Sequence, residues 1–87
     1  MSKINMESMD FESLKLGCQG SMVLIAQKML NSIGYKLKEN GEFDESMVHA
    51  VRDFQIENSP LVVNGIICSE TMIAIDAAIA RQKELNA

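Results

Sequence analysis

Residues 40–51, NGEFDESMVHAV, return as residues 64–75, NGIICSETMIAI, at an offset of 24 without a gap, and this duplication constrains the fold more than any other feature of the chain. Asn falls on Asn, Gly on Gly, Ala50 on Ala74 and Val51 on Ile75. Each copy reads as a glycine turn able to take positive φ, one inward apolar side chain, a capped helix start, and a helix whose first buried turn holds an alanine for close approach.

The remaining periodicity extends that unit into a complete domain. Met22, Val23, Ile25, Ala26, Met29, Leu30 and Ile33 recur at helical spacing from Ser21 to Ile33, with Ser21 as N-cap and Gly34 where a C-terminal cap belongs. From Asp44, a second N-cap, Met47, Ala50, Val51 and Phe54 form an i, i+3, i+4, i+7 stripe that fades near Asn58. Pro60 cannot continue a helix, so 59–64 is a linker whose Leu61, Val62 and Val63 are placed to tuck back onto the core. Ser69 caps a third helix running from about Glu70 to Lys83 or beyond. The expected fold class is all-α: a compact three-helix bundle with two turn–cap–helix pseudo-repeats over residues 13–85, preceded by a flexible arm, residues 1–12, that lacks any sustained period.

Composition narrows the function. Eighty-seven residues make one domain with one small core, and 47% apolar content is too high for a disordered chain. A net charge of −4 gives no electrostatic support for nucleic acid as a ligand. The longest apolar run, Met22–Ala26, is far short of the roughly 20 residues a bilayer demands, so no membrane insertion is expected. The N-terminus lacks the apolar stretch and cleavage site of a secretory signal, which implies synthesis in the cytoplasm without a signal peptide. Cys18 and Cys68, fifty residues apart, read as free thiols, and with one histidine they supply too few ligands for a structural metal site. No cofactor is implied. His49 lies off the apolar stripe of the second helix, and it is the only histidine around which a nucleophile–base pair could be built, so an enzyme is not expected.

LKLGCQGSMVLIAQKMLNSIGY (14–35), NGEFDESMVHAVRDFQ (40–55) and NGIICSETMIAI (64–75) together resemble the small three-helix peptidoglycan-binding domain found beside the catalytic domains of bacterial and phage cell-wall hydrolases. The resemblance covers roughly residues 14–79 and rests on Leu14, Gly17, Gly20, Val23, Gln27, Leu30, Gly34, Tyr35, Gly41, Phe43, Ala50, Val51, Phe54, Gln55, Gly65 and Thr71 in the family's order. The chain departs from the pattern at Ala26, where Leu is usual, at Asn40 and Asn64 for Asp, at Asp44 and Cys68 for Gly, and at Met47 for Thr. Most departures lie in the turn–cap segments that edge the family's ligand groove.

The resemblance implies a non-catalytic module that binds peptidoglycan through its glycan or stem peptide. Tyr35, Asn40, Asp44, Gln55 and Asn64 are the candidate ligand-binding residues. Tyr35 offers a ring for a sugar to stack on, whereas Phe43 and Phe54 read as core; Gln27 and Gln55 can bond a peptide amide or tie down a turn, and the reading favours the turn. Without an encoded export route, such a module would reach the wall or periplasm within a phage particle, a contractile-injection machine or a lysis cassette. The alternative is a structural subunit of a phage tail or injection-machine baseplate that keeps the fold without wall binding. In the third helix only Asp76 is charged between Met72 and Ala80, so Met72, Ile73, Ile75 and Ile79 form a candidate interface to other protein subunits.

Overall fold

Helix α1 spans Ser21–Ser32, α2 Glu45–Glu57 and α3 Ser69–Asn86 in a computed structural model that describes residues 12–86. Of the expected N-terminal arm, all but Glu12 lies outside the described residues. The described residues contain three helices and no strand beyond two isolated bridges, the all-α arrangement that the periodicity predicts.

Two caps fall one residue earlier than expected. Gly20, not Ser21, is the N-cap of α1, and its backbone φ of 127° is open to glycine but disfavoured for residues with a Cβ. Helix α3 begins at Ser69, and the carbonyl of Cys68 accepts from the Met72 N–H at 2.9 Å, so Cys68 takes the capping position. Asp44 caps α2 as expected, its carboxylate accepting from the Met47 N–H at 3.1 Å.

The core is Val23, Ala26 and Leu30 of α1, Met47, Val51 and Phe54 of α2, Ile75 of α3, and Leu14, Phe43 and Ile67 from the segments between. Each large side chain removed from water here contributes about 1.5–3 kcal/mol. Ile75 is fully buried, which corrects its placement on an outer interface. Met72, Ala74, Ala78 and Ile79 also pack against the core. The apolar circumference of α3 is therefore largely covered by the domain itself, because α3 lies against α1 as well as the turn segments. Ile73 alone of the four expected interface residues is widely exposed, at 67%. In the linker Leu61 does pack on the core, but Val62 and Val63 remain outside.

Two buried glutamine amides hold the turns. Gln27 of α1 donates from Nε2 to Asn40 Oδ1 (3.2 Å) and to the Glu42 carbonyl (2.9 Å), while its Oε1 accepts from the N–H groups of Asn40 (3.0 Å) and Gly41 (2.8 Å). Gln55 of α2 repeats the pattern on Asn64 (3.2 Å), the Ile66 carbonyl (3.0 Å), and the N–H groups of Asn64 (3.0 Å) and Gly65 (2.9 Å). Each Asn closes its own turn as well, Oδ1 accepting from the N–H of Glu42 (3.0 Å) or Ile66 (2.9 Å). Gly41 and Gly65 follow at φ of 75° and 74°, and a Cβ on Gly65 would sit 2.9 Å from Val48 Cγ1. Gln55 has one partner that Gln27 lacks, the hydroxyl of Thr71 at 3.2 Å; the matching position in the first copy is Met47, which is fully buried in the core.

The segment before α1 joins the two copies. Leu14 exchanges both backbone hydrogen bonds with Ile67 (2.9 and 2.8 Å), and a few residues later Gly17, Cys18 and Gly20 bond Phe43 and Gly41 at 2.9–3.0 Å. Phe43 and Ile67 are equivalent positions of the repeat, so one extended strip docks on both turns.

Replacing Gln27 or Gln55 by Met keeps the side chain's length but leaves two turn N–H groups without their acceptor. Each variant should lose about 2–4 kcal/mol, more for Gln55, whose amide also donates to the Thr71 hydroxyl. Urea unfolding followed by far-ultraviolet circular dichroism measures this; a loss below about 1 kcal/mol would mean that the Asn-Gly turns hold themselves.

Candidate functional site

The C-terminal ends of α1 and α2 and the second half of α3 enclose a cleft of about 340 Å³. Ile33 and Tyr35 come from the end of α1, Phe54, Glu57 and Asn58 from the end of α2, and Ala78, Arg81 and Gln82 from α3. A bond from Gln82 Nε2 to the Ser32 carbonyl, 2.9 Å, fixes α3 to the end of α1 and so sets one wall. Asn58 Nδ2 donates to the Phe54 carbonyl at 2.8 Å and shapes the end of α2.

The floor is apolar and the rim is charged. Phe54 is buried, Tyr35 is half-buried with its ring packed against the core, and Glu57 and Arg81 are exposed. The Tyr35 hydroxyl is pushed above the ordinary phenol range, first by burial and then by the carboxylates of Glu57 and Asp53. Among the described residues the one ion pair is Lys28 with Glu39 at 3.1 Å, so Glu57 and Arg81 line the same cleft without being joined. Neither α1 nor α2 has a basic residue in its last turn; the neutral side-chain amides of Gln82 and Asn58 donate to one terminal carbonyl of each.

The residues expected to form the ligand groove do not converge. Tyr35 lines the cleft just described, Asn40 a separate depression with Gln19, Ser21 and Glu42, and Asp44 a third beside Lys36 and Lys38. Gln55 is 1% exposed and its amide is fully occupied by the turn, so it cannot reach a ligand. The turn-tying role favoured for it and for Gln27 is the one the geometry supports. Asn64 is exposed, but its Oδ1 serves Gln55 and Ile66.

Sequence reasoning passed over Glu57, Asn58, Arg81 and Gln82. Glu57 and Asn58 fall at the fading end of the second stripe, a legible signal for one rim. Arg81 and Gln82 carried no such signal, because only the docking of α3 on α1 brings them opposite.

The family model for putative peptidoglycan binding domains matches residues 19–75. The chain belongs to this family. A family relative, the carboxy-terminal processing protease CtpA of Bacillus subtilis (strain 168), is 36% identical over 75 residues, covering 86% of this chain and 16% of its own. The crystal structure of a fused zinc-dependent amidase/peptidase/peptidoglycan-binding-domain protein from Clostridium acetobutylicum ATCC 824 superposes with a TM-score of 0.70 at 36% identity, over 74% of this chain and 28% of that one. A Burkholderia AP3 phage endolysin gives 0.72 at 28% identity, over 77% and 25%. The SleB N-terminal domain gives 0.73 at 28%, over 78% of this chain and 93% of that domain. The chain thus spans a minor part of the multidomain relatives and nearly all of the isolated domain.

The fold eases the ionisation of Cys68, at the cap of α3. The Thr71 backbone N–H at the helix start holds its thiol below the ordinary cysteine range, outweighing partial burial. Sγ also lies 3.7 Å from the Thr71 hydroxyl. A depressed thiol pKa means more thiolate at a given pH, so alkylation of Cys68 by iodoacetamide, followed by peptide mass spectrometry, should reach half its limiting rate at a lower pH in the folded chain than in urea. Equal midpoints would show that the cap does not act on the sulfur.

Proposed function

We propose that the chain is a non-catalytic module that attaches to bacterial peptidoglycan, and that the cleft between the ends of α1, α2 and α3 is its contact surface. The observation that carries this reading is the cleft itself: a half-buried aromatic, Tyr35, beside polar groups of both signs on a family fold of wall binders. The sizes of the relatives support it. Where the match occupies 16–28% of a protease, an amidase or an endolysin, the remainder of that protein is available for chemistry and the matched part for attachment. Likeness to a phage endolysin supports a setting in a phage or lysis apparatus; the wider expectation of an injection machine remains part of this proposal.

A second reading, docking to other protein subunits, is favoured by Ile73 and Val62, which stand 67% and 70% exposed. It requires no change in the fold, because neither side chain belongs to the core.

Binding should be weak, since one ring and a handful of polar groups contribute about 5–6 kcal/mol net, a dissociation constant of roughly 40–200 µM. Purified protein should sediment with isolated sacculi, and Tyr35→Ala should release it without altering the helical circular dichroism. Wild-type protein left in the supernatant with sacculi of several wall chemistries would put docking first.

A further inference from the structure

Resting on the wall-binding reading, we propose that the Tyr35–Glu57–Arg81 cleft recognises the zwitterionic end of the peptidoglycan stem peptide, a free ammonium and carboxylate on one diamino-acid residue, rather than the glycan strand. Charge separates the two ligands. The N-acetylated sugars of the glycan carry no cation, and a polyanion would face a chain of net charge −4. A stem peptide that ends its side chain in an amino acid presents both signs within a few ångströms.

The cleft presents the complementary set. On one side the carboxylate of Glu57 lies at the C-terminal end of α2, and the end of α1 adds a second negative dipole. No basic residue in either last turn neutralises them. An ammonium placed there is stabilised by all three. The carboxylate of Asp53, felt at the Tyr35 hydroxyl together with that of Glu57, strengthens the same field. On the other side Arg81, carried by α3, offers a planar guanidinium suited to a carboxylate. Had Glu57 and Arg81 been in contact, each would have cancelled the other; the described residues hold no ion pair between them. Tyr35 and Phe54 supply the apolar floor for the methylene chain that separates the zwitterion from the peptide backbone, and Gln82, bound to the Ser32 carbonyl, keeps the Arg81 wall in place.

The test is an amide-shift titration of the full chain by nuclear magnetic resonance with three probes. These are the tripeptide L-Ala–γ-D-Glu–meso-diaminopimelate, the same tripeptide acetylated only on the side-chain amine of its diaminopimelate, and the N-acetylglucosamine–N-acetylmuramic acid disaccharide. The free tripeptide should shift the amides around Tyr35, Glu57 and Arg81. Acetylation should weaken it at least roughly tenfold, as should Glu57→Gln or Arg81→Gln, since each removes one charge-assisted contact. Both variants alter exposed side chains and should retain the wild-type circular dichroism. Equal affinity for the acetylated tripeptide, shifts confined to other surfaces, or a response only to the disaccharide would overturn the assignment. Sedimentation with sacculi separates the two levels. Wild-type protein that sediments but ignores the tripeptide keeps wall binding and loses the zwitterion site, whereas protein that does neither loses both.

Discussion

A buried primary amide bonded to an Asn-Gly turn is the interaction on which the remaining architecture depends. Glutamine is suited to it because its carbonyl can accept two backbone N–H groups while its NH₂ donates to the turn's own side chain and carbonyl. Gln27 and Gln55 do this in parallel, and each reaches the turn from the helix that precedes it. Without them the turn N–H groups of Gly41 and Gly65, both buried, would be left without acceptors in a low-dielectric interior. The clamps therefore fix where each following helix starts, and with it the packing of Met47, Val51 and Ile75.

The duplicated turns also explain why the extended strip before α1 belongs to the domain. By pairing Leu14 with Ile67 and residues 17–20 with the first turn, it ties the two copies together at one end of the bundle. The C-terminal ends of α1 and α2 lie beside the second half of α3, where the Tyr35 cleft forms. The structural role of the turns accounts for the dispersal of Asn40, Asp44 and Asn64. It also fits the departures of this chain from the family pattern: Asp44 caps α2, and Met47 fills the core where the second copy uses Thr71 to complete the Gln55 network.

The sequence by itself determined the elements, because the signals involved are local. The 3.6-residue stripes of α1 and α2, the Asp44 cap and the Asn-Gly turns each depend on neighbours within a few residues, and all are found where the periodicity places them. The pattern of residues shared with the family identified the fold for the same reason. Tertiary structure alone decided the rest. Which side of α3 is covered depends on how α3 lies against α1, a long-range geometry that turned Ile75 into core and left Ile73 outside. The two capping positions moved to Gly20 and Cys68 because backbone pairing with distant segments, and not the nearest hydroxyl, sets the entry of those helices. Gln55 became inaccessible by folding over a turn nine residues away, and Arg81 became a cleft residue only by being carried opposite Glu57. Periodicity fixes the face a residue occupies on its own helix; what that face meets is set by packing between elements far apart in the chain.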